Sequence, residues 1–417
     1  MSEKTTCIVV GGGPAGMVAA LLLARGGVEV TVLEKHPDFL RDFRGDTVHP
    51  STLRLLDELG LYQRFATLPY VRLEGWGLEL PDGRSAQVID FTRLRLPHRY
   101  MAMVPQWDLL DLLAEAGRDE PTFTLRMSTE VTGLLHEAGR IVGVRYEGPD
   151  GPGELRADLT IACDGRWSLC RREAGFVPRE YPVNADVWWF RLPSAEGVGD
   201  TLLPRFKNGL FIGVIPRKGY LQTGYFLRKG ADARLRARGI EALRQDIVTA
   251  IPELSDAVMG LESMDDVKLL DIRLNRLRRW YTDGLLCIGD AAHAMSPAGG
   301  VGINLAIQDA VAAATLLAGP LHEHRLTTAG LAAVQRRRAL PTAVIQTLQR
   351  LLHAVMERAM AGRMPKPTKL LPLLARFPQL SVVPAYLMGV GVRPEHAPTF
   401  ARRAPQSVSV TTSNEKD

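Results

Sequence analysis

The opening segment of this chain constrains its fold more than any other. An apolar run, Cys7-Ile8-Val9-Val10, leads directly into Gly11-Gly12-Gly13-Pro14-Ala15-Gly16. A small-residue helical stretch from Met17 to Ala24 follows, then the stop Gly26-Gly27, then a second apolar run from Glu29 to Leu33 that ends at Glu34. The pattern is a βαβ unit carrying G-x-G-x-x-G in its first turn. Gly11 permits the tight turn, Gly13 lets a pyrophosphate approach the backbone, and Gly16 lets helix and strand pack closely. Pro14 and Ala15 open the helix, whose free N–H groups and partial positive charge suit phosphates. Glu34, about 20 residues on, can accept hydrogen bonds from a ribose diol. A bound dinucleotide is expected, with NAD and FAD both left open by the motif.

Several function classes are excluded by composition. The 417 residues are enough for two or three domains with sizeable cores. Hydrophobic residues at 46% and charged residues at 23% describe an ordinary globular chain. The formal net charge is +5, but apart from short clusters such as Arg336-Arg337-Arg338 the basic residues are scattered, with no interleaved aromatic stripe. Nucleic acid is therefore not an expected partner, and the mild positive charge suits an anionic cofactor or substrate. The four cysteines, Cys7, Cys163, Cys170 and Cys287, have no metal-site spacing, and Cys7 and Cys287 sit inside apolar strand patterns. No signal peptide precedes the first strand, and no uncharged apolar run reaches the ~18 residues of a spanning helix. A cytoplasmic protein without stable membrane insertion, a monomer or homodimer, is expected.

Along the chain, helical and strand patterns alternate in blocks. Ser51 to Leu59 reads as a helix with Ser51 as N-cap and Gly60 as stop. Residues 71–98 alternate like strands around Pro81-Asp82-Gly83. A helix follows at 106–116, then strand-like pieces at 122–135, 140–147 and 154–162. Residues 184–230 are strand-rich, 238–250 helical, and Gly284 to Ile288 forms a strand. A long helix begins near Asn304, and from about 330 the pattern is helical up to a polar tail, Ser407 to Asp417, expected to be disordered. The expected fold is α/β: a discontinuous Rossmann-like nucleotide domain (1–70, 99–180 and 268–330), a β-rich substrate domain inserted into it (71–98 and 181–267), and a C-terminal helical region (331–417).

Two further turns carry chemistry. Cys163-Asp164-Gly165-Arg166-Trp167-Ser168-Leu169-Cys170-Arg171 follows an apolar strand and has the form D-G-x-x-S-x-x-R. Ser168 can cap the helix that carries Arg171; taken alone, the segment is a capped turn. The second is Gly289-Asp290-Ala291-Ala292-His293, followed by Pro297 and by Gly299-Gly300-Val301-Gly302-Ile303-Asn304. Asp290 can bind a polyol hydroxyl. The glycine run opens a helix N-terminus suited to a group that gains negative charge, as a reduced flavin does.

These three segments, in this order, resemble the FAD-dependent aromatic hydroxylases, the single-component flavoprotein monooxygenases of the para-hydroxybenzoate hydroxylase type. The resemblance covers roughly residues 5–325. It implies that Gly11, Gly13, Pro14, Ala15 and Gly16 hold the FAD pyrophosphate, with Glu34 and Lys35 at the adenosine ribose. Gln106 matches a position near the ribityl chain, Asp164 lies in a turn associated with both FAD and the nicotinamide cofactor, and Asp290 binds the ribityl or pyrophosphate side. Pro297, Gly300, Gly302, Ile303 and Asn304 line the flavin ring. Arg44 matches an arginine beside the flavin, in a loop that varies within the family. At 417 residues, the chain is expected to lack the C-terminal thioredoxin-like domain of larger members.

The family's chemistry is reduction of FAD by NADPH or NADH, acting as a transient co-substrate, followed by O2 addition to give a C4a-hydroperoxide. The terminal oxygen then moves to an electron-rich small molecule, apolar or aromatic. Reductase or oxidase chemistry on isoprenoid- or quinone-type substrates uses the same cofactor motifs. Arg44, His49 and Pro297 are the candidate catalytic contacts, and for His49 a loop-structuring hydrogen bond is the competing role. No metal is expected. Trp188, Trp189, Phe190, Phe211, Tyr220, Tyr225 and Phe226 lie on the inserted sheet, mostly as core, with alternating members available to wall a pocket. Leu348, Leu351, Leu352, Val355 and Met356 form an apolar helical face expected to pack across the domains, and Met356, Met360 and Met364 recur at helical spacing.

Overall fold

The computed structural model describes residues 3–40, 47–79, 85–194, 203–207, 209–360, 373–374 and 376–405. Its centre is a parallel sheet. Strand β1 (Cys7–Val10) runs into helix α1 (Pro14–Arg25), which returns the chain to β2 (Val30–Leu33). All four residues of each strand are buried, as expected of a parallel sheet covered on both faces. Helices α2 (Pro50–Glu58) and α3 (Gln106–Arg118) precede β3 (Phe123–Arg126), and β4 (Leu159–Ala162) leads to the short helix α4 (Leu169–Glu173).

The inserted region is an antiparallel sheet of β5 (Ala185–Pro193), β6 (Leu203–Lys207), β7 (Leu210–Arg217), β8 (Tyr220–Arg228) and β9 (Lys268–Leu270), in the order β6-β7-β8-β5-β9. Its edge strand β9 begins at Lys268, where the sequence pattern suggests that the nucleotide domain has resumed. Helix α5 (Gly239–Ala250) covers one face. The chain then re-enters the parallel sheet at β10 (Leu285–Cys287) and continues through α6 (Val301–His322), α7 (Thr328–Met360) and α8 (Val382–Gly389). The parallel order is β10-β4-β1-β2-β3, extended by the antiparallel edge Tyr281–Thr282. Separately, Val71–Leu73 and Thr47–Val48 both pair with Met101–Met103, and Gly75–Glu79 pairs with Ser85–Asp90. The turn Pro81-Asp82-Gly83 and the tail Ser407–Asp417 lie outside the described residues.

Three sequence expectations are corrected. Helix α2 starts at Pro50, so His49 takes the cap position, and the Ser51 hydroxyl bonds Asn304 instead of capping. Helix α6 starts at Val301, because the left-handed Gly300 (φ 63°) already turns the chain into it. On α7, Leu348, Leu351, Leu352 and Val355 point outward at 40, 61, 44 and 45% exposure. The inward face carries Gln346, Gln349 and His353 together with Met356, because it meets backbone groups that need partners. Met364 lies outside the described residues.

Helix α6 packs between α1 and α7. The helical segment Ala298–His322 is long and apolar enough to cross a membrane, yet 78% of its most apolar window is buried inside the protein. The two faces of the antiparallel sheet have different fates. Trp188, Phe190, Leu192, Ile212, Val214, Tyr225 and Leu227 pack with Leu243 and Ile247 of α5. From the opposite face, Ala185, Val187, Trp189 and Phe226 pack with Met295, Val301 and Leu305 at the start of α6 and with Ile345 of α7.

Candidate active site

The parallel register brings the three turns together. Val10 is level with Leu33 on one side and Ala162 on the other, and Ala162 is level with Cys287. Gly11, Glu34, Cys163 and Ile288 therefore leave the sheet at one carboxyl edge, where open α/β sheets bind ligands. The first turn is as tight as its glycines require. Gly11 has φ 100°, and a Cβ there would lie 2.6 Å from the Cys163 carbonyl oxygen. A Cβ on Gly16 would lie 2.0 Å from the Gly11 oxygen, whereas one on Gly13 would meet nothing within 4 Å. Gly11 and Gly16 thus serve packing, and Gly13 leaves open space at the N-terminus of α1.

Glu34 closes the turn from β2. Its carboxylate accepts from Gly12 N at 2.8 Å and from His36 N at 3.1 Å. Lys35 instead faces Glu130 at 4.0 Å with more than half its side chain exposed. In the second turn, Asp164 Oδ2 accepts from Cys170 N, and Ser168 Oγ accepts from Arg171 N as the N-cap of α4. Asp164 Oδ1 is buried and has no partner among the described residues. Buried Arg171 donates to the carbonyls of Arg166 and Ala291, and so ties the second turn to the third. Arg166 faces Asp290 at 3.7 Å. Gly289 sits where α1 and α6 cross; its Cβ would meet Ala15 and Ala306 at 3.3 and 3.2 Å.

The loop before α6 is held from two sides. From the strand Thr47–Val48 and the residue after it, Thr47 Oγ1 and His49 Nε2 bond the Gly300 carbonyl at 2.8 and 3.0 Å. His49 is fully enclosed, and burial pushes its ring down to about 4 against the backbone carbonyls it faces. The ring is neutral and structures the loop. Asn304 is equally committed, with its Oδ1 accepting from Ser51 and Thr52 of α2. Pro297, Gly300, Gly302 and Ile303 remain half-buried at the loop's surface. Gln106, at the first turn of α3, is half-buried and makes no side-chain hydrogen bond among the described residues. Arg44 lies outside the described residues.

An FAD fits this edge. The N-termini of α1 and α6 both lack a side-chain cap, since Gly13 and Gly300 precede them. Each presents free N–H groups, one set for a pyrophosphate and one for the electron-rich end of a flavin ring.

The local sequence patterns do not single out two other groups that support this edge. Asp309, fully buried on α6, accepts from Gly289 N at 3.2 Å, His293 Nε2 at 2.5 Å and Arg338 Nε at 3.0 Å. Burial alone would raise its carboxyl, yet His293 and Arg338 hold it below the usual range. Gln349 and His353 of α7 bond the loop at Ser296. An acid inside a long apolar helix, and polar residues opposite a leucine stripe, were the available signals.

Comparison with known proteins agrees with this geometry. The model of a family described as the FAD binding domain matches residues 4–347. A 6-methylpretetramide 4-monooxygenase of Streptomyces rimosus is 37% identical over 336 residues, covering 80% of this chain and 80% of its own length. A 12-dehydrotetracycline 5-monooxygenase/anhydrotetracycline 6-monooxygenase of Streptomyces rimosus subsp. rimosus is 30% identical over 321 residues, 73% of this chain and 60% of its own length. Among solved structures, an anhydrotetracycline hydroxylase from Streptomyces rimosus superposes with a TM-score of 0.73 at 22% identity, over 93% of this chain and 76% of that one; it shares the fold. The chain belongs to the family of FAD-dependent aromatic hydroxylases and is a flavoprotein monooxygenase.

Proposed function

We propose that this enzyme uses NADH or NADPH to hydroxylate a planar, fused-ring phenolic compound of the polyketide kind. One observation carries this reading. Trp189 and Phe226, on the face of the antiparallel sheet away from α5, pack against the cluster containing Met295 and Val301, which flank the loop assigned to the flavin ring. Phe211 lies beside Phe226 on the same face, with ring centroids 4.8 Å apart. A flat aromatic substrate on that face would lie next to the ring. The relative named for 6-methylpretetramide supports the substrate class.

Bound FAD supplies the chemistry: two electrons from the nicotinamide and activation of O2, with one oxygen atom going to the substrate and the other to water. The chain's own residues bind and orient. Gly13 and Ala15 would offer N–H groups to the pyrophosphate, with open space at Gly13, Glu34 its carboxylate to the ribose, and Gln106 and Asp290 polar groups to the ribityl side. Gly302 and Ile303, at the uncapped start of α6, would offer N–H groups to the end of the ring that gains negative charge on reduction. Thr47 and His49 hold the Gly300 carbonyl, and the buried sheet face excludes water. An electron-rich phenol needs no dedicated catalytic base under this reading, in keeping with the neutral, enclosed His49.

The test uses the purified enzyme with FAD, NADH or NADPH, labelled O2 and two tetracyclic probes, 6-methylpretetramide and anhydrotetracycline. A yellow protein and a product carrying one labelled oxygen atom are expected. Nicotinamide-dependent conversion without label in the product would overturn hydroxylation, and a protein that cannot take up FAD would overturn the cofactor assignment.

A further inference from the structure

Helix α7 turns a polar line toward the ring-facing loop. Gln346, Gln349 and His353, at helical spacing, are 2, 4 and 7% exposed. Gln346 Nε2 donates to the carbonyls of Asn275 and Ala294 at 2.7 and 3.3 Å. Gln349 reads the next residues as a strand would. Its Oε1 accepts from Ser296 N at 3.2 Å, and its Nε2 donates to Ser296 O at 2.8 Å and Ala298 O at 3.0 Å. Two carbonyl partners fix the amide's orientation. His353 Nε2 lies 2.6 Å from Ser296 Oγ, and that oxygen already accepts from Ala298 N at 3.1 Å. With one proton and two lone pairs, the serine hydroxyl serves both the Ala298 N–H and the histidine ring.

Every polar group of Ser296, and both the N–H and the carbonyl of Ala298, is thereby engaged, either by α7 or within the loop. Gly300 is held from the opposite side by Thr47 and His49. Between them lie the half-buried Pro297 and Gly299 and the start of α6.

We propose that Gln349 and His353 are positioning residues that hold the Ser296–Gly300 loop so that the N-terminus of α6 is aimed at the flavin ring. The inference rests on the assignment of that loop to the ring, and it gives the C-terminal helix a role in the reaction. Loop placement to a fraction of an ångström governs how well charge is stabilised at the ring and how tightly oxygen transfer is coupled to nicotinamide oxidation. Neither residue touches substrate.

The experiment compares Gln349→Leu, His353→Phe and the exposed control Leu352→Ala with the wild-type holoenzyme. FAD dissociation constant, visible flavin spectrum and the fraction of nicotinamide oxidation released as H2O2 are measured, together with hydrogen exchange of the loop amides in the apoprotein. Gln349→Leu and His353→Phe should accelerate loop-amide exchange, shift the flavin bands and weaken FAD binding roughly 10- to 100-fold. The peroxide fraction should rise, and Leu352→Ala should match wild type. If Gln349→Leu does not fold, His353→Phe, which leaves the glutamine contacts in place, decides the matter. Folded variants with wild-type spectrum, affinity, exchange and peroxide fraction overturn the proposal. A colourless wild-type protein overturns the flavin assignment itself; a yellow wild type with indifferent variants overturns only the role of α7.

Discussion

His49 shows how burial turns a candidate catalytic group into a structural one. The ring is enclosed and bonded to Gly300, and its pKa falls from 6.5 to about 4 because the charged form would lose water. Unfolded, the same ring takes a proton near pH 6.5. Stability from the neutral ring is therefore complete above pH 6.5 and lost as pH falls toward 4. Its share is on the order of 3 kcal/mol at the acid end. Burial lowers His98 and His353 as well, with the same sign. Urea unfolding at a series of pH values should show stability falling between pH 6.5 and 4.5, and His49→Leu should flatten that slope while lowering the plateau. An unchanged slope in the variant would mean that His49 does not titrate in this window.

At the scale of the element, the turn into α1 separates fold from function. Gly16 has no room for a Cβ, whereas Gly13 faces open space. Gly13→Val should fold with a melting temperature within a few degrees of the wild-type apoprotein and yet lose FAD, because the methyls occupy the pyrophosphate approach. Gly16→Val should lose roughly 1–3 kcal/mol or more even without cofactor, as overpacking does. Calorimetry of the apoproteins and fluorescence titration with FAD check both. Equal loss of stability in the two variants would contradict the division. Helix α7 teaches a different lesson at this scale. Between residues 346 and 355 its leucines face outward and its glutamines inward, since the surface this stretch covers is a loop rich in carbonyl and N–H groups.

Across the whole molecule, one buried ionic network joins distant parts of the chain. Arg338 and Asp309 are fully buried and Glu395 is 4% exposed. Arg338 bonds Asp309 on α6, Gln308 beside it and the Arg393 carbonyl, and lies 3.5 Å from Glu395. Asp309 in turn holds Gly289 at the third turn. Removing the cation would leave two carboxylates buried without it, a loss of roughly 3–5 kcal/mol. Arg338→Met should therefore lower the urea midpoint sharply and weaken FAD retention, although residue 338 lies a full helix away from the cofactor edge. A midpoint within error of wild type would show the network to be dispensable.

Local pattern alone was enough for the parts of this protein that depend on neighbours in sequence. The βαβ unit, the Gly60 stop, the Ser168 cap and the two acidic turns all follow from backbone geometry and short-range hydrogen bonding, and they place the chain in its family. The carboxyl edge was legible too, because parallel strands must end their turns on the same side. What periodicity could not reveal is which surface each face meets. Trp188 and Trp189 are adjacent, yet one packs under α5 and the other beside Met295 and Val301 at the start of α6. Ser51 looks like a cap but bonds Asn304, 253 residues away. The α7 leucine stripe looks like a core face but lies outside. Sequence determined the residues able to hold a dinucleotide. Only tertiary structure decided which polar side chains spend their hydrogen bonds holding the loop before α6, because an unsatisfied backbone group in a buried loop outweighs the apolar preference of the helix that covers it.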